Sequence, residues 1–303
     1  MRDEAMADST EIQHATIVKR HGRRLPQIVL ALLAMLSFAL SDVFAKMLVG
    51  DISAFQLARY RYLGAVLVLI PFIMIRPASL RSRAPGLQIM RGLLMFGATA
   101  MLISALALMP VAEATTLVFV SPIIVTLLSA TLLGERIGML RTACLLGSLG
   151  GVAMVARPDL IGPDPSMLLP FGSALCWAIA AILTRPTQAR GDRFDTTLVY
   201  ATLSGFAAVC IVAGRFEPPE AVLLPATLAM VACWLAGHAA VLAAYRLGRI
   251  ADVAPISYSQ IVWAVILGLA FFSEVLDALT LLGCGIVIVC GAIASRQSDV
   301  ARP

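Results

Sequence analysis

Ten stretches of the chain are apolar over about the length that a bilayer demands, roughly 20 residues at a 1.5 Å rise. They fall near 27–48, 54–75, 87–108, 111–133, 139–156, 166–184, 195–213, 223–245, 250–272 and 277–295. Short breaks carrying turn chemistry or charge separate them, among them Gly50-Asp51, Met109-Pro110, Gly134-Glu135-Arg136 and Glu217-Pro218-Pro219-Glu220. A lone strand in lipid leaves its backbone polar groups unpaired, so each apolar stretch predicts a helix. The expectation is an all-α membrane protein of ten transmembrane helices. Residues 1–26 form a polar tail ending in Lys19, Arg20, Arg23 and Arg24. The apolar run after it could pass for a signal peptide, with Ser37-Phe38-Ala39 as a cleavage-like triplet. It continues to Leu48, beyond the 7–15 residues of a signal core, so an uncleaved first helix is expected.

Composition agrees with this pattern. Of 303 residues, 60% are hydrophobic and 14% charged, against roughly a quarter charged in soluble chains. A soluble fold of this composition would expose extensive apolar surface, whereas a bilayer solvates it. The six cysteines all lie in apolar runs, none in a C-x-x-C pair, and read as packing residues rather than disulfides or zinc ligands. No metal or other cofactor is called for.

The net charge of +5 bears on topology more than on nucleic acid, because no basic stripe is interleaved with aromatics. With the N-terminus inside, most of the 23 basic residues fall on inner segments, including Arg76, Arg81, Arg83, Arg136, Arg190, Arg193, Arg246 and Arg249. The outer loops hold Arg157 and Arg215 among acids such as Asp51, Asp159, Glu217 and Glu220. This asymmetry predicts cytoplasmic N- and C-termini in an inner (cytoplasmic) membrane.

The two halves repeat. Lys46 and Arg185 lie 139 positions apart, and so do Phe38 and Trp177, Arg76 and Arg215, Glu113 and Asp252, and Glu135 and Glu274. One constant offset over five pairs argues for duplication. The units are 27–157 and 166–296, joined by 158–165 and followed by a short tail at 297–303. Each unit holds five helices, an odd number, so the second copy enters the membrane upside down. Two inverted five-helix repeats are a recurrent secondary-transporter architecture, with the site near the midplane.

Charged and polar groups inside the spans are the functional candidates, because hydrocarbon makes them costly. Asp42 and Lys46 share a helix face at i,i+4, together with Phe38. Trp177 and Arg185 are the repeat partners of Phe38 and Lys46, while Asp42 has none. Asp42 could handle substrate or protons, or only neutralise Lys46, Arg59 or Arg61. His238 and Trp234 share a face of the eighth span, where the imidazole could serve a proton-linked step or rest on a backbone carbonyl. Ser257, Tyr258, Ser259 and Gln260 form the most polar run inside any span, and Ser121 matches Gln260 across the repeat. Substrate contact is therefore expected from Phe38, Asp42, Ser121, Trp177, Trp234, His238, Tyr258 and Gln260. Gates are expected from Lys46 with Glu113 at one face and Arg185 with Asp252 at the other. Glu113 and Asp252 would otherwise only complement helix dipoles, and Glu135 and Glu274 read as loop anchors. The small-residue seam Ala143, Gly147, Gly151 suits close helix packing within one protomer, with a homodimer as the alternative.

The run Leu106-Ala107-Leu108-Met109-Pro110-Val111-Ala112-Glu113-Ala114, with Ser121-Pro122, Gly134-Glu135 and Gly147 to Gly151, resembles an EamA domain of the drug/metabolite transporter superfamily. Gly248 to Asp252, Ser273-Glu274 and Leu282-Gly283 resemble it again. The second copy lacks a proline at 261, where Ser121-Pro122 would place one, so its fourth helix is expected to be the straighter. The resemblance implies ten helices, cytoplasmic termini and the passage of metabolites. The resulting expectation is a secondary transporter for a small organic metabolite, such as an amino acid or related zwitterion, or an S-adenosylmethionine- or riboflavin-like molecule, in contact with membrane lipid. An exporter of amphipathic drugs is the main alternative; a channel or an intramembrane enzyme is the lesser one.

Overall fold

The computed structural model describes residues 2–133, 138–156, 165–247, 253 and 255–297. Among these, every regular element is helical: α1 (Arg2–Leu48), α2 (Ala54–Ile75), α3 (Pro85–Leu106), α4 (Val111–Val118), α5 (Ser121–Leu133), α6 (Met139–Ala156), α7 (Leu168–Ala189), α8 (Phe194–Val212), α9 (Leu224–Leu247), α10 (Ser259–Phe272) and α11 (Ala278–Gln297). α4 and α5 together make the fourth span. Seven spans are long and apolar enough to cross a bilayer, and the shorter Thr142–Ala156, Ile256–Phe272 and Ala278–Ala294 complete ten. The polar segment expected as a tail continues α1 back to Arg2.

Packing follows the duplication. α1 lies along α9 and α3 along α7, while α2 meets α8 and α6 crosses α11. Exchanging spans 1–5 with 6–10 turns the first pairing into the second and the last two into themselves. The α6–α11 crossing is close because it is built on glycine. A Cβ on Gly151 would stand 2.7 Å from the Gly283 carbonyl oxygen, and one on Gly147 would stand 2.7 Å from Cys290 Sγ. The seam therefore joins the two halves of one protomer. Leu67, Ile211, Leu228 and Leu269 remain exposed on the outer surface, where lipid replaces water.

Both fourth helices are interrupted. α4 ends at Val118, a turn covers Phe119 and Val120, and Pro122 restarts the chain as α5 without an N–H to offer the preceding turn. In the second copy a 3-10 turn, Ile256–Tyr258, precedes α10. The expectation of a straighter helix there is thus corrected. Pro255 stands directly before that turn, which departs from a straight helix without a proline at 261.

The end of α10 explains the acidic residue that follows it. Ser273 takes the left-handed conformation (φ 55°), its N–H donates to Leu269 O, and the Glu274 N–H donates to Gly268 O. The first is the 5→1 bond of a left-handed (αL) helix cap, and the second folds Glu274 back over Gly268. The Gly134-Glu135 equivalent in the first copy lies outside the described residues.

Candidate functional site

The i,i+4 stripe of α1 places Phe38, Asp42 and Lys46 one above another, and each meets a different neighbour. At mid-helix, Arg61 of α2 donates from Nη2 to Asp42 Oδ1 at 3.1 Å and to the Ser41 carbonyl at 2.9 Å. Gln260 Nε2 of α10 donates to Asp42 Oδ2 at 3.4 Å. Ser41 Oγ donates to the Met230 carbonyl of α9 at 2.8 Å. Three helices thus converge on one carboxylate, and α9 is tied to the residue beside it. Asp42 and Arg61 are 4% and 2% exposed, and such a pair survives burial only through hydrogen bonds to its remaining lone pairs and protons. Satisfaction is incomplete, because Arg61 Nε has no partner.

An aromatic wall adjoins this pair. The Phe38 and His238 rings stand edge to face with centroids 4.9 Å apart, and His238 lies 4.2 Å from Trp234. Tyr62 continues the wall, 6.1 Å from Trp234 and 6.3 Å from Phe96. Phe38 seats on Gly237 and Tyr62 on Gly205, where any Cβ would overlap the ring. His238 Nδ1 lies 2.9 Å from the Trp234 carbonyl, yet the side chain is exposed. Hydrogen-bond groups beside stacked rings can orient a molecule that carries both charge and a flat apolar surface.

Phe38, Asp42, Trp234, His238 and Gln260 are therefore brought together, and other expected residues are not. Tyr258 is 5% exposed, packed on Phe119 at 5.0 Å and against Gly291. Ser121 is buried at the start of α5, and Trp177 is exposed on α7. Among the described residues, neither has a hydrogen bond or ring contact to the Asp42 cluster. Arg61 and Tyr62 belong to the site more fully than the sequence suggested. The available signal was a second charge inside an apolar span, two residues from the first.

At the end of α1, Lys46 Nζ meets Glu274 Oε1 at 2.5 Å and donates to the Met109 carbonyl at 2.7 Å. Glu274 Oε2 accepts the Val111 N–H at 3.0 Å. The carboxylate thus pairs with the lysine while capping the otherwise unpaired first turn of α4. The acid set against Lys46 is Glu274, in place of the expected Glu113. Glu113 occupies the first turn of α4, half-buried, near Cys284. Arg185 is exposed near the end of α7, and Asp252 lies outside the described residues.

Ten spans in two inverted units, with polar groups and aromatics gathered where the units meet, define a multi-pass membrane transporter. The EamA-like transporter family matches residues 25–157 and 165–295, and the chain belongs to that family. Among its relatives, the S-adenosylmethionine uptake transporter of Rickettsia bellii is 24% identical over 264 residues, covering 85% of this chain and 89% of that one. The pseudopaline exporter of Pseudomonas aeruginosa is 27% identical over 281 residues, covering 89% and 96%. The riboflavin transporter of Rhizobium johnstonii is 25% identical over 270 residues, covering 88% and 89%. A solved crystal structure shares the fold, with a TM-score of 0.62 and 22% identity over 90% of this chain and 98% of that one.

Proposed function

We propose that this chain is a secondary transporter moving a small zwitterionic or cationic organic metabolite by alternating access, driven by substrate or ion gradients. The observation that carries the reading is the buried Asp42–Arg61 pair beside the Phe38–His238–Trp234 wall. A zwitterion can exchange with the two halves of such a pair, ammonium at Asp42 and carboxylate at Arg61, while a ring system lies on the aromatics. S-adenosylmethionine, the substrate named for one relative, combines these features, which puts molecules of that kind first. Lys46 and Glu274 close one end of the path in this reading, and Arg185 and Asp252 serve the other. The basic residues near Arg76 and Arg193 support a reading in which that other end, and both termini, face the cytoplasm.

Reconstitution in liposomes tests the proposal, with amino acids, S-adenosylmethionine, riboflavin and lipophilic cationic dyes as substrates. The expected result is saturable uptake stimulated by substrate on the far side. Asp42→Asn should raise KM by about 10-fold or more, the equivalent of one lost charged hydrogen bond, at unchanged protein level. Non-saturable flux would mean a channel. Uptake of the dyes alone would move the assignment to drug export through the same aromatic wall.

A further inference from the structure

Two concavities open at opposite loop faces, at equivalent places in the two halves. One, of about 480 Å³, is lined by Asp51, Gln56, Tyr60, Glu217 and Glu220 among others. The second, of about 420 Å³, is lined by Arg76, Ser79, Arg193 and Asp195 among others. The offset of 139 carries Gln56 onto Asp195, and Glu217 and Pro218 onto Ala78 and Ser79. Equivalent in position, they are opposite in charge.

In the first cavity three carboxylates face few free cations. Arg59 commits Nη2 to the Gly214, Cys210 and Val209 carbonyls at the end of α8, and Arg215 remains as an exposed counter-charge. Gln56 is 5% exposed. Its Nε2 donates to the Arg215 and Ala213 carbonyls, leaving Oε1 a buried acceptor with no donor. Tyr60 adds an aromatic ring, fixed by its hydroxyl's bond to the Glu217 carbonyl and standing edge to face against Phe216 at 6.1 Å. Among the described residues no set of three or more acids, histidines or cysteines is gathered tightly enough to hold a metal ion.

We propose that this acidic cavity is a docking site for an organic cation, a protonated or quaternary amine or a sulfonium. Dispersed carboxylates suit a bulky, weakly hydrated charge, an aromatic ring in the lining adds cation–π attraction, and the buried, unpaired Gln56 oxygen at the cavity wall is an acceptor for a donor on the ligand. The proposal deepens the transport reading, since the cavity would gather a substrate's cationic end ahead of Asp42. As a binding site it does not depend on turnover.

Equilibrium dialysis of radiolabelled choline against the purified full chain, in neutral detergent at about 0.1 M salt, where the Debye length is about 10 Å, tests it. Saturable binding is expected. Glu217→Gln with Glu220→Gln, both exposed positions, should weaken it about fivefold or more, and Arg76→Gln in the opposite cavity should leave it within about twofold. Binding unchanged in the double variant would overturn the proposal, and so would binding abolished by Asp42→Asn alone, which would assign the cation to the central site. Failure of transport in liposomes would leave the dialysis result standing, so the two readings fail separately.

Discussion

Lys46 and Glu274 stand 228 positions apart in the chain and meet at 2.5 Å, joining the first helix of one half to the fourth span of the other. The second oxygen of the same carboxylate accepts the Val111 N–H. One acid therefore fastens α1, α4 and α10 at a single loop face. The left-handed turn at Ser273 is what aims it there.

Removing that acid should be costly. Glu274→Gln leaves a half-buried ammonium without its counter-charge, and should lower stability by about 1–3 kcal/mol. Lys46→Met combined with Glu274→Met should recover most of the loss, because no unpaired charge remains. Thermal unfolding in detergent measures both. A double variant no more stable than the single one would show that the cap on α4, rather than the ion pair, supplies the stability.

The α6–α11 crossing gives a sharper contrast. Gly151→Ala should destabilise by about 1–3 kcal/mol, because its Cβ meets the Gly283 backbone oxygen, which cannot rotate away. Gly150→Ala has nothing within 4 Å and should stabilise the helix by up to about 1 kcal/mol. Comparing the two variants' melting temperatures isolates the steric effect from helix propensity.

Asp192 supplies a pH test outside the spans. Burial raises its carboxyl pKa, but Ser82 Oγ, Gln88 Nε2, the Arg83 N–H and the Arg83 charge outweigh that and hold it below the usual carboxylate value. A depressed folded-state pKa contributes stability that is full above the unfolded value near 3.9 and is lost as pH falls through the folded value. Asp192→Asn should therefore melt lower than the parent at neutral pH, with the gap narrowing as pH drops below about 4. A gap constant from neutral to acid pH would count against the carboxylate's charge.

Ser273 occupies a position that favours glycine. With φ at 55°, Ser273→Gly should raise stability by up to about 1 kcal/mol. The Lys46–Glu274 pair should survive, because the turn that orients Glu274 is kept. A fall in melting temperature would mean that the serine hydroxyl contributes a bond that outweighs the backbone strain.

Hydropathy by itself determined the ten spans, and the constant offset determined the two units. Lipid allows few alternatives to a helix for an apolar run, so each span could be read locally, from its own residues. The same locality is why the partners of the charges were hidden. Arg59 and Arg61 sit two residues apart on α2, yet a helix turns them to different sides. Arg59 closes the carbonyl end of α8, while Arg61 enters the site at Asp42. Tyr258 and Gln260 shared one polar run, but the turn before α10 sent the first ring onto Gly291 and the second side chain to Asp42. Glu113 and Glu274 were both acids near a loop, and only the left-handed turn at Ser273 brought Glu274 against Lys46. Which polar groups meet depends on helix rotation, helix breaks and the close approach of distant spans, and only the tertiary structure decided those.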